Sequence, residues 1–105
     1  MGFFNEIYAD LDTGTADEVT EAADIRYVSF MFVEALKTAG DTDGCVLVVE
    51  CSTDKVNWNE SSTTLTMTNQ MAMKDNIQSS FRYFRIKVKT KSTIASTTTI
   101  CIQGK

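Results

Sequence analysis

The chain has 105 residues, 43% hydrophobic and 10% aromatic, with a net charge of −4, three cysteines, and neither histidine nor proline. That length accommodates one domain, because two cores would each bury too little apolar surface, and the composition is that of a β-rich globular protein. The lack of histidine excludes Ser-His-Asp and Cys-His nucleophilic catalysis and the commonest zinc sites, and the apolar runs 28–33 and 45–49 fall far short of the roughly 20 residues of a membrane helix.

The first residues, MGFFNEIY, have no basic n-region and no small-residue cleavage site, so they do not read as a secretory signal, and Glu6 stands where a myristoylation motif needs Ser or Thr. The segment FFNEIY, 3–8, is a short strand or an anchoring arm; exposed aromatics of this kind anchor interfaces, which makes Phe3, Phe4, Ile7 and Tyr8 candidate partner-binding residues. Residues 11–24, LDTGTADEVTEAAD, read as a loop around Gly14. The expected division is an acidic N-terminal arm over 1–24 and a β-sandwich domain over 25–105.

From Ile25 the pattern changes to IRYVSFMFVEAL, whose two-residue period puts Val28, Phe30 and Phe32 on one face, assigned to the core, and Tyr27, Ser29 and Met31 on the other. Turn formers follow in KTAGDTDG, and then the strand GCVLVVECS, which together read as a hairpin. The fragments DLDTG and DTDG imitate pieces of a calcium loop, but neither completes the ligand series, so both read as turns. Cys45, Cys51 and Cys101 lack metal-ligand spacing and read as free thiols acting as small hydrophobes.

After CSTDKVNWNE come a Thr-rich strand, STTLTMT, and a shorter one, MAMKDNI. The cleanest strand is FRYFRIKVKT, with Phe84, Ile86 and Val88 inward and Tyr83, Arg85, Lys87 and Lys89 outward. The last, STTTICIQ, presents Ile100 and Ile102 inward and is expected to pair with it through KSTIA. This succession predicts an all-β chain, a single antiparallel, jelly-roll-like β-sandwich with an N-terminal arm.

Charge is unevenly distributed. Residues 1–24 hold seven acids and no base, whereas from Lys74 onward there are seven bases and one acid, Asp75. The row Arg82, Tyr83, Arg85, Lys87 and Lys89 is a candidate partner-binding surface, read as a protein contact because the chain as a whole is acidic, which argues against nucleic acid. Opposite signs at the two ends also favour contacts between neighbouring copies.

The sequence ECSTDKVNW, followed by FRYFRIKV and a Thr-rich strand ending CIQGK, resembles a short β-sandwich of tailed-phage virion proteins, of the capsid decoration or cement type. The pattern there is E-G-S-N-D-G-x-N-W and then Y-x-R-V-x-V; galactose-binding and discoidin-like modules share a similar turn and strand. Lys55 stands where the pattern prefers glycine, and Cys51 where it often has a small residue. The resemblance covers residues 25–105 and implies a non-enzymatic structural protein on the capsid exterior, made in the host cytoplasm. Its expected partners are the major capsid protein and copies of itself, with no cofactor, no nucleic acid and no membrane. The alternative it leaves is a carbohydrate-binding or host-adhesion module using Trp58. An aromatic of that size suits a core, so Trp58 is expected to fold back and close one end of the sandwich.

Overall fold

The alternation of FRYFRIKVKT becomes a strand whose inward side chains, Phe84, Ile86 and Val88, are fully buried. The computed structural model describes residues 4–25, 30–78 and 81–104, and of residue 4 the backbone alone. Phe3, the Phe4 side chain, and Tyr27, Val28 and Ser29 of the expected strand lie outside the described residues.

Eight strands follow in chain order: β1 Phe4–Asp12, β2 Ala23–Asp24, β3 Phe30–Gly40, β4 Val46–Ser52, β5 Asn59–Thr66, β6 Met71–Gln78, β7 Tyr83–Thr90 and β8 Ser96–Gly104. They form two four-stranded sheets, β1-β8-β3-β6 and β2-β7-β4-β5, antiparallel at every pairing. This is the strand order of a jelly roll, the double Greek key in which the chain passes back and forth between two sheets.

That order corrects two expectations. The segment 37–44 does not close a hairpin: β3 bonds to β8 and β6 in the first sheet, while β4 bonds to β5 and β7 in the second. KSTIA likewise joins β7 to β8 across the sheets and does not pair them. Of consecutive strands, only β4 and β5 are bonded to each other among the described strands. Turn formers mark where the chain changes direction; whether it stays in its sheet depends on which strand edges remain free, which is not a local property.

The two corners that cross over are stacked on one another. Asp41 donates its backbone N–H to the Ala95 carbonyl and Thr93 donates to that of Asp43. Gly40 has φ +76°, and a Cβ there would lie 2.0 Å from the Ala95 carbonyl oxygen, so this approach admits only glycine. Below the corner, the Gln70 side-chain oxygen accepts from the Thr42 N–H at 2.9 Å and its hydroxyl at 2.8 Å, tying the β3–β4 turn to β5–β6.

The core lies between the sheets. From the second sheet come Leu47, Val49, Leu65, Phe84, Ile86 and Val88, and from the first Met31, Val33, Ala35, Ile77, Ile100 and Ile102. The inward face of β3 is therefore the opposite of the one expected: Phe30 is 42% exposed and Phe32 half-buried, whereas Met31 and Val33 are buried. Because side chains alternate with a period of two, the choice of face reverses the whole strand. Glu34 lies on the face of Phe30 and Phe32, and turning them inward would have buried its carboxylate. Cys45 and Cys51 are buried in the core and Cys101 is half-exposed on the outer side of the first sheet; all three are free thiols.

Residues 4–24, expected as a short strand or an arm followed by a loop, supply strands to both sheets. β1 bonds along β8 from Phe4 to Asp12, with a bulge between Tyr8 and Leu11 where Asp10 has φ +61°. The chain then crosses over, and the backbone of 17–20 bonds to the free edge of β7: Asp17 and Thr20 donate to the Val88 and Ile86 carbonyls, and Val88 donates to Glu18. At the crossing, the hydroxyls of Thr13, Ser96 and Thr98 form a buried cluster in which Thr13 bonds to both of the others.

The face of β3 is tested by alanine substitution and urea unfolding. Met31→Ala should cost about 2–5 kcal/mol, as for a core methionine, and Phe30→Ala about 1 kcal/mol or less, as for a partly exposed residue. The reverse order would show that the aromatic face is the buried one.

Candidate partner-binding surfaces

The turn after β4 is built by two side chains. Ser52 accepts through its hydroxyl from the backbone N–H groups of Asp54 and Lys55, at 3.2 and 2.9 Å. Asp54 in turn accepts from the Val56 and Asn57 backbone N–H groups and the Asn57 amide, each at 2.8 Å. Side chains that bond the backbone two or three residues on are what make aspartate and serine turn formers. These bonds to the ionised form hold the Asp54 carboxyl well below the usual carboxylate range. Lys55 has φ +67°, the left-handed region that favours glycine.

This turn delivers Trp58 to the outer side of the second sheet, not to the core. The ring is half-buried, its Nε1–H donates to the Lys55 carbonyl at 3.2 Å, and the Arg85 guanidinium lies 4.0 Å from its centroid. The expectation of a core plug fails because Trp58 finds both its hydrogen bond and a cation on the outer face, where an aromatic with a polar end is well accommodated.

Arg85 is one member of a row. Its Nε donates at 2.7 Å to Glu50, a carboxylate only 6% exposed on the outer side of the central strand β4. Lys87 lies 3.2 Å from Glu60, 3.4 Å from Asp17 and 3.8 Å from Glu50, and Lys89 lies 3.4 Å from Glu60. At the end of the row, Arg82 pairs with Asp24 at 3.3 Å and stacks at 4.9 Å on Tyr83, whose ring also faces Lys55 at 5.5 Å. The structure thus brings Tyr83, Arg85, Lys87 and Lys89 together on one face, as the alternation predicts, adds Arg82 from just before the strand, and neutralises their charges within the chain. Two of the neutralising acids, Asp17 and Asp24, come from the acidic N-terminal segment. The Lys87 ammonium is held above its ordinary value and the Glu60 carboxyl below its own, chiefly by their mutual hydrogen bond.

The expected N-terminal contacts are placed differently. Ile7 is 64% exposed on the outer side of the first sheet, whereas Tyr8, half-buried, packs against the core. Burial, then the nearby Glu6 and Glu21, raise the Tyr8 phenol to about 12. Tyr8 borders an open groove between β1 and residues 18–21, rich in carboxylates. The two aspartate fragments are occupied by turn bonds: Asp12 accepts from the Gly14 N–H and the Thr15 hydroxyl, and Asp41 accepts from the Asp43 N–H and the Gln70 amide.

No protein-family model matches the sequence, and no curated protein is significantly similar to it. Solved structures do share its fold. The chain is similar to the PBSX exported protein XepA, at 16% identity and a TM-score of 0.68, over 96% of this chain and 36% of that one, so it spans little more than a third of XepA. It is similar to a protein of Bacillus endospore appendages, described as a family of disulfide-linked pili, at 13% identity and a TM-score of 0.54, over 98% and 88% of the two chains. The SPBc2 prophage-derived protein YomS gives a TM-score of 0.54 at 9% identity, over 97% of this chain and 96% of YomS. At these identities the likeness is one of fold.

Two outcomes follow from this geometry. Arg85→Ala leaves the buried Glu50 with Lys87 alone and uncovers Trp58; it should cost about 2 kcal/mol in urea unfolding and shift the Trp58 emission to the red, and an unchanged spectrum would show that the stack is absent in solution. The carboxyls of Asp41, Asp54 and Glu60 are all lower in the folded chain than in the unfolded one, so the stability they contribute is complete above their unfolded values of about 4 and is lost as pH falls below that. Asp54→Asn should flatten the decline of stability with acid below about pH 4; a profile identical to that of the wild type would remove Asp54 from the account.

Proposed function

We propose that this chain is a non-enzymatic structural protein of a phage particle, a decoration protein seated on the outer surface of the head and bound to the major capsid protein. The observation that carries the reading is the fold: an eight-stranded jelly roll shared along nearly its whole length with a prophage-derived protein and with the exported protein XepA. This architecture recurs in viral capsid proteins and in lectins.

The outer face of the second sheet supports the structural use. Its charges form a network closed within the chain, and Trp58 carries a guanidinium on its ring and a carbonyl at its indole nitrogen. A sugar stacking on the covered side of the ring would have to displace Arg85 from both Trp58 and Glu50. The acids and bases stiffen a compact module that needs no cleft, which is what a protein covering a shell requires.

Mass-spectrometric copy counting in purified particles tests the proposal. A copy number of the same order as that of the major capsid protein is the expected result. A few copies per particle would move the protein to the tail, and its absence from purified particles would overturn the particle reading.

A further inference from the structure

The strand registers align Ile7, Cys101, Glu34 and Met73 in a single row across all four strands of the first sheet. Their neighbours along the strands, Ile100, Ile102, Val33 and Ala35, are buried, so the row faces outward. Ile7 is 64% and Met73 55% exposed; Leu36, 41% exposed, and the half-buried Phe32 flank Glu34 along β3. With strands about 4.8 Å apart, the row spans about 14 Å. Apolar side chains gathered on one exposed face in this way mark interaction sites.

The two outer faces differ in kind. On the second sheet the carboxylates of Glu50 and Glu60 are held by Arg85, Lys87 and Lys89. On the first, Glu34 stands among Ile7, Phe32, Leu36 and Met73, with the uncharged polar side chains of Asn5, Thr99 and Gln103 between them, and none of the ion pairs among the described residues includes it. Covering this face with another protein would desolvate that carboxylate, at a cost that only an opposing cation offsets. The same charge opposes a face-to-face pair of copies, because a twofold axis through the row would bring one Glu34 toward the other. Cys101, beside Glu34, is held in its neutral thiol form by burial and then by that carboxylate, so it adds to the apolar character of the face.

We propose that this outer face of the first sheet is the docking surface, and that its partner is a shell-protein surface presenting apolar side chains around one lysine or arginine that pairs with Glu34. The proposal deepens the reading above and rests on it. It moves the contact from the basic row of β7, whose charges are paired, to the opposite side of the sandwich, and it retains Ile7 as a contact residue.

Cosedimentation with purified phage shells stripped of their bound copies is the test, with Met73→Asp, Glu34→Lys and Glu34→Gln on this face and Thr66→Asp on the other sheet. Circular dichroism and urea unfolding confirm that each variant is folded. Met73→Asp and Glu34→Lys should each weaken binding at least about tenfold and Glu34→Gln less, while Thr66→Asp stays within about twofold of the wild type. Wild-type binding that Met73→Asp and Glu34→Lys leave unchanged, or that Thr66→Asp weakens equally, overturns the docking face but not the proposed function. A wild-type chain that does not sediment with shells overturns the proposed function, and this partner with it. A wild-type dimer in sedimentation velocity that Met73→Asp dissociates overturns the proposal by assigning the face to a second copy.

Discussion

Strand β7 is used on both faces and both edges. Inward, Phe84, Ile86 and Val88 occupy the middle of the core; outward, Arg85 and Lys87 reach over β4 to Glu50 and over β5 to Glu60. One edge is bonded to β4 and the other to residues 17–24, so β7 joins the earliest part of the chain to the centre of the second sheet. A one-residue slip would put three cations into the core and three apolar side chains into water. The strict period of two from Phe84 to Lys89 therefore fixes the register of the whole second sheet, including the turn that carries Trp58.

The same strand was the most legible part of the sequence, because apolar and charged residues alternate without a break from Phe84 to Lys89. β8 was legible for a related reason, with Ile100 and Ile102 set among threonines. β3 was not. FMFV offers apolar groups on both faces, and aromatic volume pointed to Phe30 and Phe32, whereas the deciding residue is Glu34, two positions further along the same face. Strand pairing was less legible still, since KTAGDTDG has every mark of a hairpin turn yet serves as a corner between sheets. The position of Trp58 depended on Arg85, 27 positions away, and on a carbonyl three positions before it; no local pattern contains the first of these.

The separation of charge along the sequence is largely undone by folding. Acids from residues 17–24 are carried by the crossover from β1 to β2 alongside the cations of β7, and Glu50 and Glu60 complete the set. Individual exposed pairs contribute little, but Glu50 is shielded by the side chains that neutralise it, and the central strand is consequently covered on both sides. Glu6, Asp10, Asp12, Glu18 and Glu21, outside these pairs, line β1 and the groove beside it, so the surface field of the folded chain is negative along that edge of the sandwich.

The bond between Thr13 and Ser96 spans 83 residues, and β1 has its strand partner in β8. During synthesis the first strand therefore emerges long before the strand it pairs with exists. Contacts of such long range form late and slowly, and an unpaired strand edge is meanwhile an invitation to aggregation. Glu6, Asp10 and Asp12 along β1, with the bulge at Asp10, supply the charge and irregularity that keep a waiting edge from pairing with the wrong chain. The acidity of this segment thus serves the nascent chain as well as the folded one, keeping β1 available until the last strand arrives to close the roll.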